Sequence, residues 1–169
     1  FALGAGAKFY ARGVDTDKVG MNTVLKQAHA FQGTSLVEIF QNCIVYNEDV
    51  FASFTDRKNA ANTQLHLKHG EPMLFGDDNG KGIHQKRSTR ELKVIDATES
   101  PDEVLVHDEA NKTIARFLID IHMPVAMGVL YREPSISYED AFYAHHPSRM
   151  KRTKTIGDLI KGPSSWTVD

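Results

Sequence analysis

Between Lys8 and Asn47 the chain carries the rhythm of a β-α-β unit, and no other stretch restricts the fold as far. Phe9 to Val14 reads as a strand, and the following "DTDK" supplies carboxylates and a cap for a helix. Met21, Val24, Leu25 and Ala28 then fall at i, i+3, i+4 and i+7, a single apolar helical face. Gly33 offers the helix a left-handed stop without a Cβ penalty, and "SLVEIFQ" resumes as a strand of β-branched and aromatic residues. Two strands joined by a crossover helix are most simply parallel, in a sheet covered on both faces. In that arrangement Val37 and Ile39 lie on one side of a central strand and Leu36 and Phe40 on the other, all of them covered. The expected fold class is α/β.

The unit also places the chain's only cysteine, in "FQNCIVYN". In open α/β sheets ligands bind outside the carboxyl ends of the strands. Gln41, Asn42 and Cys43 lie there if the second strand ends near Phe40. An unpaired cysteine also commonly serves as a small buried hydrophobe, so the residues alone leave both roles open.

Composition excludes several classes. With 41% hydrophobic and 25% charged residues the chain is an ordinary globular one, and its net charge of −2 offers no electrostatic hold on nucleic acid or anionic lipid. One cysteine cannot make an internal disulfide, and no apolar run reaches the roughly 20 residues of a membrane helix. A cytoplasmic protein is the simplest expectation. The opening "FALGAGAKFY" is apolar and glycine-rich, with neither an initiator methionine nor a secretory pattern, which suggests that an upstream part is missing.

Beyond Asn47 the stretch "NEDVFASFTDRKNAANTQLHLKHGEP" reads as a polar connection with a short helix, before a turn-rich "FGDDNGKG" and a smaller lobe. "ELKVIDA" and "DEVLVHD" read as short strands, and Ile114, Phe117, Leu118 and Ile121 form a second helical stripe. "PVAMGVLYR" is a further strand, "SYEDAFYAHH" a helix, and "TIGDLIKGP" a short helix stopped by Gly162 and Pro163.

Other constellations carry less. His66 and His69 could share a helix face, but two histidines without a third ligand do not make a zinc site. Asp77, Asp78, Asn79 and Gly80 lack the alternating spacing of a calcium loop and read as a solvated turn. His145 and His146 point to different sides of any helix. The basic run of Arg149, Lys151, Arg152 and Lys154 reads as a solvated face. The early "GAG" precedes a strand, whereas a dinucleotide fingerprint follows one. Trp166 is expected to dock the tail on the core.

At "GTSLVEIFQNCIVYNEDVF", followed by "HGEPMLFG" and "KGI", the sequence resembles the beta subunit of the 2-oxoacid:ferredoxin oxidoreductases, especially the 2-oxoglutarate type. The similarity continues through "PVAMGVLYR" and "LIKGPSSWTV", and covers only the later half of such a subunit. It implies a partial thiamine-diphosphate-binding parallel sheet in residues 1–56 and a smaller α+β C-terminal extension in residues 57–169. It also implies an activity: oxidative decarboxylation of a 2-oxoacid on thiamine diphosphate with Mg2+. Electrons would pass through a 4Fe-4S cluster to ferredoxin, and the acyl group to coenzyme A. Pyruvate or a branched-chain 2-oxoacid are alternative substrates.

By the same resemblance, Cys43 matches the fourth cysteine ligand of the cluster, the other three coming from the upstream half of the beta subunit. Gln41, Asn42 and Asn47 would then contribute hydrogen bonds around it or close the backbone turn. An alpha subunit completes such an enzyme. The family's upstream cysteine pair and Gly-Asp-Gly segment have no counterpart here, so the isolated chain is expected to be inactive and to hold no cluster. Relatives often read Asn-Asp-Gly where this chain has Asn47, Glu48 and Asp49, which puts the local turn in doubt. The competing expectation is a non-catalytic binding or assembly module with Cys43 as buried packing.

Overall fold

The structure is a computed structural model that describes residues 1–146, 155–162 and 166. They fall into two compact units, Phe1–Ser135 and Ile136–Asp169. The class is α/β, with a sheet that contains parallel strands.

The opening β-α-β unit forms as the residue pattern dictates. β1 (Phe9–Val14), α1 (Lys18–Ala30) and β2 (Ser35–Phe40) follow in order, and β1 and β2 are parallel in register from Phe9 opposite Ser35 to Val14 opposite Phe40. Asp17 caps α1, its Oδ1 accepting the Gly20 N–H at 3.0 Å. Gly33 takes φ +128° in the turn that follows, where a Cβ would press on the Phe31 ring at 3.0 Å. Val24 and Ala28 seat the helix against Phe9, Ala11 and Val129. Leu25, expected on the same face, is exposed. The helix meets the sheet along a stripe narrower than its apolar spacing.

β2 departs from expectation more sharply. The first sheet runs β2-β1-β7-β3, with β3 at Gln64–His66 and β7 at Val125–Arg132. β2 is therefore an edge strand, and the central position belongs to β1, every residue of which is buried. Leu36 and Ile39 are exposed, Ile39 to 47%, instead of covered on both faces. The cause is topological. β7 arrives from far along the chain and pairs antiparallel with the flank of β1 that β2 does not use, which makes the sheet mixed.

β3 pairs parallel with β7, so strands drawn from residues 57–169 share a sheet with β1 and β2. The segment read as a polar connection holds two short helices, α2 (Ala52–Thr55) and α3 (Ala60–Thr63), as well as β3. A second, antiparallel sheet contains β4 (Leu74–Phe75), β5 (Lys81–Gln85) and β6 (Leu92–Asp96). Leu65, Met73, Ile83, Leu118 and Leu130 join both sheets to α4 (Lys112–Asp120) in one apolar core.

"DEVLVHD" is not a regular strand. A 3-10 turn at Pro101–Glu103 leads into an extended stretch that shares its hydrogen bonds between two neighbours. The Leu105 N–H donates to the Ile83 carbonyl at 2.7 Å, and the His107 N–H to Glu71 at 2.9 Å. Divided pairing of this kind leaves a single bridge, Pro72 to Val106. Asp77–Asn79 forms the expected turn, with Asp78 and Asn79 in the left-handed region.

In the second unit α5 (Tyr138–His145) is capped by Ser137, whose Oγ accepts the Asp140 N–H at 3.0 Å. α6 (Ile156–Ile160) starts on a reciprocal pair, Thr155 with Asp158. Trp166, expected to be covered, is 84% exposed. The basic run from Arg149 to Lys154 lies outside the described residues. Among the described residues no helix is long and apolar enough to cross a membrane.

Candidate functional site

Because β1 and β2 are parallel, Val14 and Phe40 end at the same side of the sheet, and the Asp15 N–H donates to the Phe40 carbonyl at 3.1 Å. The loop from Gln41 to Thr55 leaves from that end. Its base is aromatic: Phe40, Phe51 and Phe54 meet with ring centroids 5.1 to 5.7 Å apart. They pack on Val14, Val125 and Met127. Phe51 and Phe54 lie inside a polar run, and their i, i+3 spacing is the one local signal for two rings on one face of a helical turn.

Asn42 ties the loop across. Its Oδ1 accepts the Phe51 N–H at 2.9 Å, and its Nδ2 donates to the Thr55 hydroxyl at 3.2 Å. Thr55 is buried, its carbonyl accepts the Thr16 hydroxyl at 3.1 Å, and the neighbouring Phe54 carbonyl accepts Gln64 Nε2 at 2.6 Å.

Cys43 stands on the outer part of this loop and is exposed, so it does not play the buried packing role weighed for it. The Asn47 N–H donates to the Cys43 carbonyl at 3.0 Å and closes a tight turn. The turn aims backbone N–H groups of Tyr46 and Val45, with a smaller contribution from Asn47, at the thiol and holds its pKa below the ordinary thiol range. A lowered pKa favours the thiolate, the form of cysteine that binds metal. Ile44, Val45 and Tyr46 at the tip are apolar and exposed, Tyr46 to 92%.

At the position where the resembling family often carries glycine, Asp49 takes φ +58°. Aspartate is one of the few non-glycine residues that tolerates this region. Gln41 is exposed at the start of the loop. The structure thus brings Asn42, Cys43 and Asn47 into one loop, with the side chain of Asn42 spent on the loop itself and Asn47 acting through its backbone.

Next to the loop, on the sheet, Tyr10, Arg12 and Glu38 form a network. Tyr10 Oη donates to Glu38 Oε2 at 2.6 Å, and Arg12 Nε to the same oxygen at 2.7 Å. Burial opposes the Glu38 charge, but the Tyr10 and Arg12 hydrogen bonds outweigh it and hold the carboxyl below its usual range. Burial and the Glu38 contact push Tyr10 up to about 12.

A cleft of about 610 Å³ opens elsewhere, along α1 and the His66–His69 segment, and no residue of the cysteine loop lines it. His66 and His69 do not converge. Their Nδ1 atoms lie 3.9 Å from Asp17 and from Asp108 respectively. Among the described residues no group of three or more His, Cys, Asp or Glu side chains could hold a metal ion.

No protein-family model matches the sequence. The chain is 30% identical over 178 aligned positions to 2-oxoglutarate oxidoreductase subunit KorB of Mycobacterium tuberculosis (strain ATCC 25618 / H37Rv). The alignment takes in 99% of this chain and 47% of the relative, so the chain spans about half the length of the curated relative it matches. The chain is thus similar, along almost all of its own length, to part of a 2-oxoglutarate oxidoreductase subunit.

Proposed function

We propose that this chain is the later half of the beta subunit of a thiamine-dependent 2-oxoacid:ferredoxin oxidoreductase, and that Cys43 is one thiolate ligand of its 4Fe-4S cluster. The observation that carries the reading is the setting of Cys43: exposed, beyond the carboxyl end of two parallel strands, on a turn closed by the Asn47 N–H to its carbonyl at 3.0 Å. The fit is that of one ligand. A cubane cluster normally takes a thiolate for each iron, and the upstream half of the subunit would provide the other three.

In this reading residues 1–56 complete a thiamine-diphosphate-binding domain and residues 57–169 form the extension of the beta subunit. When bound, thiamine diphosphate with Mg2+ supplies carbanion stabilisation for decarboxylation, and the cluster supplies the electron path to ferredoxin. The part played by this chain is local. The Cys43–Asn47 turn holds the thiolate and its amide donors in place, and Asn42 closes the loop beneath them. Neutralising sulfur charge by N–H donors favours the reduced cluster.

The preferred substrate is 2-oxoglutarate, the 2-oxoacid for which the similar subunit KorB is named; coenzyme A as acyl acceptor and an alpha subunit as partner belong to the same proposal. A panel of 2-oxoglutarate, pyruvate and a branched-chain 2-oxoacid, assayed on the complete enzyme for ferredoxin reduction with coenzyme A, tests this choice. Fastest turnover with 2-oxoglutarate is expected, and a preference for pyruvate or the branched-chain acid would reassign the substrate.

A further inference from the structure

We infer that Asn42 is a positioning residue for Cys43, fixing the thiolate through a brace to Thr55 and Phe51, an inference that rests on the reading of Cys43 as a cluster ligand. Cys43 is exposed, so packing does not order it. A thiolate that must meet three others on one cubane nonetheless needs a fixed position. The loop supplies that order by hydrogen bonds on its inner side. Asn42 and Cys43 are adjacent, and the single planar amide of Asn42 both accepts from the Phe51 N–H at 2.9 Å and donates to the Thr55 hydroxyl at 3.2 Å.

The brace continues into the scaffold. The Thr55 carbonyl accepts from the Thr16 hydroxyl at 3.1 Å, between β1 and α1, and Phe51 and Phe54 anchor on Phe40. The outer part of the loop, from Cys43 to Val50, is exposed and hangs between these two ties. Asparagine suits the place because it offers a donor and an acceptor in one rigid group. Aspartate keeps only the acceptor, and alanine keeps neither. This role differs from a hydrogen bond to the sulfur, since both ends of the Asn42 amide are engaged within the loop.

Because Cys43 is the only cysteine, a nitroxide label attached to it reports motion at that one position. The chain itself serves, with no iron added, and thermal unfolding is followed on the same samples. A restricted spectrum is expected for the parent. Asn42→Ala and Thr55→Val are expected to shorten the rotational correlation time severalfold while each protein still unfolds cooperatively, and Thr55→Ser is expected to keep the restricted spectrum. Should Asn42→Ala not fold, Asn42→Asp and Thr55→Val decide the matter by the same spectrum. Folded variants that keep the parent's restricted spectrum would overturn the inference. That failure would leave the cluster reading intact, because the label reports motion in the absence of a cluster. Retention of a cluster after loss of the Cys43 thiolate would sink the cluster reading and leave the label result standing.

Discussion

β2 and β7 have similar composition, rich in β-branched and aromatic residues, yet they occupy opposite environments. β7 lies between β1 and β3, and six of its eight residues from Val125 to Tyr131 are buried. β2 has a neighbour on one side only, and its Leu36 and Ile39 are exposed. Local pattern determines that a stretch extends. Pairing partners from distant sequence determine how much of it is covered. The same contrast separates the two parts of the molecule that matter here: a sheet centre fixed by apolar contact, and a cysteine loop at its end fixed by hydrogen bonds.

The largest effect is expected at the covered strand. Leu130 is fully buried in the core shared by both sheets, and Leu130→Ala should cost about 2–5 kcal/mol in denaturant unfolding. A loss no greater than that of an exposed residue would break the contrast between the strands.

A second test uses His107, which is buried against β7 and whose Nε2–H donates to the Val129 carbonyl at 2.8 Å. Its Nδ1 has no hydrogen-bond partner. Burial lowers its pKa below the ordinary 6.5, although the Val129 bond and the charges of Glu109 and Asp108 oppose the shift and His69 assists it. The neutral form is the folded one. Well above pH 6.5 the site is neutral in both folded and unfolded chains, and they bind the same number of protons there. As pH falls below 6.5 only the unfolded chain takes up the proton, and this contribution to stability is progressively lost toward the lower folded pKa. Stability measured from pH 7.5 down to about 5 should therefore decline more steeply in the parent than in His107→Gln. Parallel profiles would remove His107 from the account.

The smallest effect is expected at the edge. Ile39→Ala should cost at most about 1 kcal/mol, because the side chain is half in water already. A loss as large as that of Leu130→Ala would mean that β2 is covered in solution.

Much of this fold was legible in the residues. The span of β1, the extended course of β2 up to Phe40, a carboxylate cap within "DTDK" and the inward placement of Ile114, Leu118 and Ile121 follow from spacings within a few positions of one another, whereas Phe117 of the same stripe is not part of the core. The edge position of β2 did not, because it depends on β7. The trio of Phe40, Phe51 and Phe54 was hidden by the polar residues between its members. At the candidate site, the position of Cys43 beyond a parallel strand was readable from topology. Its exposure, its amide donors and the engagement of Asn42 were not, since they arise from the backbone path of a loop without periodicity. The left-handed backbone of Asp49 was likewise not readable, because it belongs to the same loop.

The central claim concerns Cys43, and the most direct test is Cys43→Ala in the complete, reconstituted enzyme. Thiamine diphosphate retention, iron and sulfide content, and ferredoxin reduction with 2-oxoglutarate and coenzyme A would be measured on one preparation. Removing one thiolate ligand should make the cluster labile or lose it and collapse ferredoxin reduction, while thiamine diphosphate stays bound. A variant that keeps a full cluster and normal electron transfer would contradict the assignment of Cys43 as a cluster ligand.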